Sequence, residues 1–259
     1  MSKIIAVHSY KGGTGKTLLS VNLAATLAKR GKKVCLFDLD FRAPSLFAIL
    51  KVEKAEWWLN DYLNSICNIN KVLIDLSSRI QSNGKFVVGL ANPATEAIRD
   101  ISAKDRKWEM HALGRLLSLR NTLLKDQEFD YLILDTSPGL QYSSINAIVS
   151  ADQVLVATTF DMSDVKGTKR MLHELYELFE KKTDVIVNKV LYDVSSKSEN
   201  EDLQNRVSDT YKARVVGVIP CFCDVSRAEG AFIFTLEKPE HPFSKIISEI
   251  SAKIEKSEL

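Results

Sequence analysis

The sequence is poor in cysteine and has no long apolar stretch, and both shortages exclude classes of protein. Four cysteines in a chain of 259 residues do not suggest a disulfide framework. The first apolar run, Ile4–Val7, is too short for the apolar region of a signal peptide, and no segment reaches the length of a membrane span. We therefore expect a cytoplasmic protein with reduced thiols, and we do not expect a membrane partner.

A large excess of either charge is also missing. The formal net charge is +2, whereas nucleic-acid-binding domains are usually strongly basic. A basic region at positions 99–120 is interrupted by acidic residues, so non-specific DNA stays open as a partner but is not favoured. Apolar residues make up 45% and charged residues 26%, which is typical of a globular domain.

Short apolar runs alternate with segments of helical periodicity along the chain. The candidate strands are Ile4–Val7, Val34–Leu39, Lys85–Leu90, Tyr131–Leu134, Val154–Thr158, Val185–Val187 and Val215–Ile219. The candidate helices are Thr17–Arg30, Trp108–Lys125, Val165–Lys181, Leu203–Tyr211 and Phe243–Ile254. Runs that are apolar on both faces indicate strands covered on both sides. The pattern predicts an α/β fold with a mostly parallel, twisted sheet of about seven strands and helices on both faces. We assign residues 1–259 to a single domain, with an irregular insertion at about 51–84.

The segment KGGTGKT, Lys11–Thr17, lies between the first strand and the first helix, where a phosphate-binding loop is found. Its glycines let backbone N–H groups approach phosphate oxygens, and the amino end of the helix favours an anion. Lys16 can reach the β- and γ-phosphates, and the Thr17 hydroxyl can bind Mg²⁺. The generic pattern has a glycine where Tyr10 stands, and Lys11 is an additional cation near the start of the loop. The expected nucleotide contacts here are Gly12, Gly13, Thr14, Gly15, Lys16, Thr17 and Leu18.

With this loop the chain resembles the MinD/ParA family of deviant Walker A, SIMIBI-class P-loop ATPases. The resemblance implies Mg²⁺-dependent hydrolysis of ATP to ADP and phosphate by a homodimer that pairs when ATP is bound. It implies that Lys11 reaches the nucleotide of the opposite subunit, and it makes Lys11, Lys16 and Asp40 the catalytic candidates.

Acidic residues follow two of the predicted strands. Asp38 and Asp40 end the second strand, and Asp135 ends the strand that begins at Tyr131. The carboxyl ends of such strands face the ligand crevice. The resemblance implies that Asp40 positions the attacking water, that Asp38 lies near the metal and that Asp135 holds Mg²⁺ through water.

Two segments resemble the switches of the family. Residues 42–46 follow Asp40 and form the expected first switch. Residues 136–139 follow Asp135 and form the second, in which Pro138 precedes Gly139 and the Gly139 N–H is expected to be free to sense the γ-phosphate.

The base pocket is predicted from two further strand ends. Asn188 has both a donor and an acceptor for a base edge, and the resemblance implies that it reads adenine. Pro220 would form the other side of the pocket. The family often has Pro-Glu where this chain has Phe160 and Asp161, so the contacts there are not carried over. ATP is favoured, and GTP is left open.

The expected function is that of a nucleotide switch for cell-division positioning, partitioning or cargo positioning, with an unidentified protein partner or activator. One alternative is a metallocentre-assembly ATPase that uses Cys221 and Cys223, although one Cys-x-Cys pair gives only two ligands per chain. Another is a nucleotide-dependent binding module with little turnover.

Overall fold

The computed structural model describes residues 2–191, 197–228 and 232–257. The strands are β1 Lys3–His8, β2 Lys33–Leu39, β3 Ile74–Asp75, β4 Lys85–Gly89, β5 Tyr131–Thr136, β6 Gln153–Thr158, β7 Lys182–Val190 and β8 Arg214–Pro220. Within these ranges, eight strands form one sheet in the order β3-β4-β2-β5-β1-β6-β7-β8. All pairs are parallel except β3 with β4. The predicted fold class is confirmed. The strand that the sequence did not reveal is β3, since two residues are too few to show a periodicity.

Helices cover both faces of the sheet. Their bounds are α1 Lys16–Lys29, α2 Leu46–Ile49, α3 Leu59–Leu63, α4 Ile69–Val72, α5 Thr95–Ser102, α6 Arg106–Leu119, α7 Tyr142–Ser150, α8 Met162–Met171, α9 Lys197–Tyr211, α10 Cys223–Arg227, α11 Phe234–Glu237 and α12 Pro242–Glu255. Two of the predicted long helices continue as π-helical segments, Arg120–Asp126 after α6 and Leu172–Tyr176 after α8. The segment at 51–84 contains α3, α4, β3 and a 3-10 turn at Ser77–Arg79. Among the described helices, none combines the length and the apolar content that crossing a bilayer requires.

The sheet is buried on both sides because successive side chains of a strand point to opposite faces. In β1, Ile5 and Val7 join the cluster formed with α1 and α12. Ile4 and Ala6 join the cluster on the other face, formed with α3, α6 and α7. This arrangement explains why the central runs are apolar at every position.

The order of the strands determines where the loops collect. β1 lies in the middle of the sheet, between β5 and β6, and β2 lies on the far side of β5. Because these strands are parallel, the segments that follow all four of them emerge at one edge, which we call the carboxyl edge. The phosphate loop, both predicted switches and the start of α8 therefore lie near one another.

Candidate nucleotide-binding site

The phosphate loop follows β1 and leads into the first turn of α1. Gly13 and Gly15 have φ angles of +80° and +89°, in the left-handed region that glycine enters without strain. A Cβ atom on Gly15 would lie 2.4 Å from Nδ2 of Asn188, so this position has no room for a side chain. Gly15 is the N-cap of α1, and no side chain of the described residues caps the helix there. The first N–H groups of α1 are therefore donors available to an anion.

Lys16 and Asp135 lie beside this helix end, and both are buried. Oδ1 of Asp135 accepts a hydrogen bond of 2.8 Å from the Ser20 hydroxyl. Burial raises the pKa of Asp135 to about 6, while the charge of Lys16 and hydrogen bonds from Ser20 and Thr17 act in the opposite direction. Oδ2 of Asp135 is buried and has no hydrogen-bond partner among the residues that the structure describes. An unsatisfied carboxylate oxygen beside a cationic loop needs a further partner.

The groups around Asp135 fit the magnesium ion that the sequence predicts. Mg²⁺ prefers oxygen ligands and keeps several waters in its coordination shell. The Thr17 hydroxyl and the unsatisfied oxygen of Asp135 supply donors of this kind. A hydrated ion that contacts Thr17 directly and Asp135 through water is compatible with both groups.

Asp38 lies next to Asp135, because β2 and β5 pair in register at these two residues. Its oxygens are both engaged: Oδ1 accepts the Asp40 N–H at 3.0 Å, and Oδ2 accepts the Leu46 N–H at 3.2 Å. Burial and the neighbouring charge of Asp135 raise the pKa of Asp38 well above its ordinary value. Asp38 thus holds Asp40, which precedes the predicted first switch, and Leu46 at its end.

Asp40 connects the two predicted switches. Its Oδ1 accepts a hydrogen bond of 2.9 Å from the Ser137 hydroxyl and one of 3.2 Å from the Ala43 N–H. Its side chain is only half-buried, so the carboxylate can also contact a water molecule. The geometry combines the two properties that a water-positioning residue needs, a fixed orientation and access to solvent.

The second switch is folded back against the end of β1. The Gly139 N–H donates to the carbonyl of Ser9 at 2.9 Å, and the Gly139 carbonyl accepts a hydrogen bond of 2.8 Å from Nε2 of His8. The prediction of a free Gly139 N–H is therefore wrong for this arrangement. The reason is the φ angle of +75°, which glycine adopts readily and which allows residue 139 to dock on β1. Pro138 lies near the phosphate loop, since a Cβ atom on Gly12 would be 3.9 Å from its Cγ.

Lys11 is held by a helix of its own chain. Its Nζ lies 3.2 Å from Oδ1 of Asp161 and 3.0 Å from the Ser163 hydroxyl. Hydrogen bonds from Ser163, from the Asp164 N–H and from Lys11 lower the pKa of Asp161 to about 2. The Lys11 side chain is 51% exposed, so water screens this ion pair and the contact is weak. Asp161, at the position where the sequence departs from the family pattern, thus contacts the lysine that distinguishes the loop.

A shallow cleft lies on the other side of the loop. It is lined by Leu18, Asn188, Lys189, Ile219, Pro220, Cys221, Phe222, Val225, Ser226 and Phe243. Three residues predicted to bind the nucleotide, Leu18, Asn188 and Pro220, are therefore together in one place. However, Nδ2 of Asn188 donates to the Thr14 carbonyl at 2.8 Å, so at least one amide hydrogen supports the loop in this arrangement.

Comparison with known proteins agrees with this geometry. Residues 2–190 match a family model described as an AAA domain. The sporulation initiation inhibitor protein Soj of Bacillus subtilis is 30% identical over 208 residues, which cover 79% of this chain and 77% of Soj. The chain belongs to the MinD/ParA family of P-loop ATPases. The septum site-determining protein MinD of Synechocystis sp. is 29% identical over 221 residues, or 85% of this chain and 76% of that protein.

Solved structures of the MinD/ParA family share the fold. The cell division ATPase MinD of Pyrococcus furiosus has a TM-score of 0.77 and 24% identity, with 99% of each chain covered. MinD of Pyrococcus horikoshii, which was solved as a complex with Mg-ADP, has a TM-score of 0.77 and 22% identity, with 99% of this chain and 97% of that chain covered. These structures confirm the fold, and the predicted family is confirmed by the domain match and by the identity to Soj.

Several residues of the site were not identified from the sequence. They are His8, Ser20, Asp161 and Lys189, whereas Ser137 was placed in the second switch without a role of its own. Ser20 follows Lys16 by one helical turn, and this spacing could have shown that both face the same side. Lys189, whose Nζ donates to the Gly13 carbonyl at 2.7 Å, directly follows Asn188 at the end of β7. For His8 and Asp161 the sequence carries no comparable signal, because their partners are distant along the chain.

Proposed function

We propose that this protein is a Mg²⁺-dependent ATPase that acts as a homodimer controlled by its nucleotide. The observation that carries the proposal is the unsatisfied carboxylate oxygen of Asp135 beside Lys16 and the uncapped first turn of α1. Membership in the MinD/ParA family and the Mg-ADP bound to the Pyrococcus horikoshii relative support the same ligand.

The residues of this chain would act mainly by positioning and by neutralising charge, as phosphoryl transfer requires. Lys16 and the first N–H groups of α1 hold the phosphates. Thr17 and Asp135 would hold Mg²⁺, which when bound supplies charge neutralisation at the β- and γ-phosphates. Asp40, oriented by Ser137, would accept a hydrogen bond from the attacking water.

Pairing of two chains would complete the site. In the homodimer Lys11 leaves Asp161 and contacts the phosphates of the opposite subunit, and the symmetry of such a contact places both nucleotides between the chains. Large exposed apolar side chains support an interface here: Tyr10 in the loop, Leu140 and Tyr142 after the second switch, and Met162 at the start of α8 are 40% to 73% exposed. ATP favours the paired state only if it binds that state more tightly than the single chain.

Two measurements test the proposal. Phosphate release from ATP should require Mg²⁺ and should be stopped by EDTA, and Asp40→Ala should still bind ATP but hydrolyse it very slowly. In sedimentation, Asp40→Ala should form a dimer with ATP and not with ADP, and adding Lys11→Ala should abolish the dimer while ATP binding persists. If the double variant dimerises as well as Asp40→Ala, Lys11 is only a local phosphate contact and the shared site is wrong.

The cellular role that fits best is a switch in cell-division positioning or partitioning, working with a protein partner. The names of MinD and Soj support this role, as does the complex of MinD with MinC solved from Aquifex aeolicus. The rate of ATP hydrolysis would distinguish this role from that of a binding module, which would hydrolyse little ATP.

A metallocentre-assembly role has no such support. Cys221 and Cys223 are exposed, and the described residues contain no group of three or more His, Cys, Asp or Glu side chains that could hold a metal ion. We expect little zinc or iron in the purified protein by elemental analysis. About half a metal ion per chain that disappears with Cys221→Ser would favour the metallocentre role instead.

A further inference from the structure

His8 is a polar residue at the carboxyl edge of the sheet, and the phosphate chemistry proposed above makes no use of it. It is completely buried at the end of β1. Its Nε2 contacts the carbonyl of Gly139, and its Nδ1 contacts the hydroxyl of Tyr176, which is also buried. The imidazole therefore joins the second switch to the π-helical segment that follows α8.

The direction of both hydrogen bonds follows from their chemistry. Burial lowers the pKa of His8 to about 4, so the ring is neutral near pH 7 and carries one N–H. The Gly139 carbonyl can only accept, so the proton is on Nε2. Nδ1 is then an acceptor, and the Tyr176 hydroxyl must donate to it. The Gly139 carbonyl thus fixes the tautomer, and Tyr176 fixes the orientation of the ring that holds Gly139.

Gly139 is held to β1 at two points by consecutive residues. Its carbonyl is bound by His8, and its N–H is bound by the carbonyl of Ser9. While the second contact persists, the N–H cannot donate to a phosphate. Residue 139 must move away from the end of β1 before it can sense a γ-phosphate, and this movement breaks the bond to His8.

The helix that carries Tyr176 contacts the same part of the loop at further points. The ring of Tyr10 lies against Gly167 of α8, where a Cβ atom would be 2.0 Å from Cε1 of the tyrosine. Lys11 contacts Asp161 and Ser163 at the start of the same helix. The π-helical segment is an uncommon structure that often occurs at functional sites.

We propose that His8 and Tyr176 are positioning residues that stabilise the docked position of Gly139 and thereby weaken the binding of a nucleoside triphosphate relative to a diphosphate. The inference rests on the proposed function, because only a ligand with a γ-phosphate gains from moving Gly139. The hydrogen bond from His8 opposes this movement, so removing it should favour the triphosphate selectively.

Two substitutions of His8 separate its two contacts. The amide nitrogen of glutamine is as many bonds from the backbone as Nε2, so His8→Gln keeps a donor for Gly139. The amide of asparagine corresponds to Nδ1, so His8→Asn keeps only the contact with Tyr176. Tyr176→Phe keeps the ring and removes the donor that orients the imidazole.

The experiment compares the Kd of Mg-ADP with that of a non-hydrolysable Mg-ATP analogue by calorimetry. For His8→Asn we expect the ratio of the ADP Kd to the analogue Kd to rise about five-fold, which corresponds to the roughly 1 kcal/mol of one net hydrogen bond. His8→Gln should keep the wild-type ratio, and Tyr176→Phe should raise it about two-fold. Thermal melting shows whether each variant is folded.

A purely structural role predicts a different result, in which the variants lose stability and both nucleotides bind less tightly by the same factor. That result, or an unchanged ratio in His8→Asn, overturns the inference while the proposed function stands. If the wild-type protein binds neither nucleotide, both the proposed function and the inference are wrong.

A second readout does not depend on the variants of His8. With ¹⁵N-labelled histidine, NMR of this chain with its four histidines should show His8 as the neutral Nε2–H tautomer. Adding the Mg-ATP analogue should shift its Nε2 resonance, whereas Mg-ADP should leave it nearly unchanged. An Nδ1–H tautomer, or equal shifts with both nucleotides, contradicts the proposal.

Discussion

The two halves of the phosphate loop are supported in different ways. The leading half, Tyr10 and Lys11, contacts α8 through the packing of the Tyr10 ring on Gly167, the exposed ion pair with Asp161 and the hydrogen bond to Ser163. The trailing half, residues 13–16, is held by the end of β7, where Asn188 and Lys189 donate to successive loop carbonyls. A helix end can move without disturbing the sheet, whereas the end of an inner strand cannot. We infer that the trailing half is the rigid cradle for the phosphates and that the leading half can move.

The largest effect should come from the cation of the rigid half. Lys16→Ala removes the buried ammonium group at the proposed phosphate site, and we expect ATP affinity or turnover to fall by about 100-fold or more. Lys29→Ala, at the exposed last turn of the same helix, is the matched control and should leave both unchanged. Wild-type affinity and turnover in Lys16→Ala would mean that the phosphates bind elsewhere.

The next effect tests how rigid the trailing half is. Gly15→Ala places a methyl group at a φ of +89° and 2.4 Å from Asn188. The left-handed conformation alone costs about 1–2 kcal/mol, so we expect the melting temperature without nucleotide to fall by about 2–8 °C. Gly12→Ala is the control, since its nearest neighbour is 3.9 Å away, and it should melt within about 2 °C of wild type. Equal melting of the two variants would show that the loop adapts freely.

A smaller effect on nucleotide affinity is expected when the contact between the end of β7 and the loop is removed. Lys189→Met keeps the apolar stem and removes the charged donor to Gly13, and nucleotide affinity should fall about 10-fold for ATP and ADP alike. Lys125→Met changes an exposed lysine before β5, at the opposite edge of the sheet, and should have no effect. A loss confined to ATP would assign Lys189 to the γ-phosphate instead of the loop.

The smallest effect should come from the exposed ion pair of the leading half. Asp161→Asn can still cap α8, so its melting temperature should change by less than about 2 °C. With Lys11 released, dimerisation with ATP should occur at about two-fold lower protein concentration.

Because the pKa of Asp161 is lowered from 3.8 to about 2, the ion pair is present above pH 4 and is lost as the pH falls through 2. The difference between the two proteins should therefore be the same at pH 6 and pH 5, where the Asp161 carboxylate stays ionised, and a difference that disappears at pH 5 would exclude the ion pair as its cause.

The fold and the loop could be predicted because their signals are local. Apolar runs such as Tyr131–Leu134 show buried strands, and the glycines and lysines of the loop are adjacent in the sequence. The arrangement of the second switch could not be predicted in this way. Whether the Gly139 N–H is free depends on His8 and Ser9, which are brought to it by the pairing of β1 with β5. The contact of Asp161 with Lys11 likewise depends on the neighbouring position of β1 and β6.

The position of β1 in the sheet also has a consequence for biosynthesis. The strand is made first, but it pairs Lys3 with Tyr131 and Ile5 with Gln153, so its partners emerge from the ribosome much later. Contacts this distant along the chain slow folding, because the intervening chain must be ordered before they form. The first functional motif to be synthesised is therefore among the last to be completed. We therefore expect ATP binding to begin only after the central sheet is assembled.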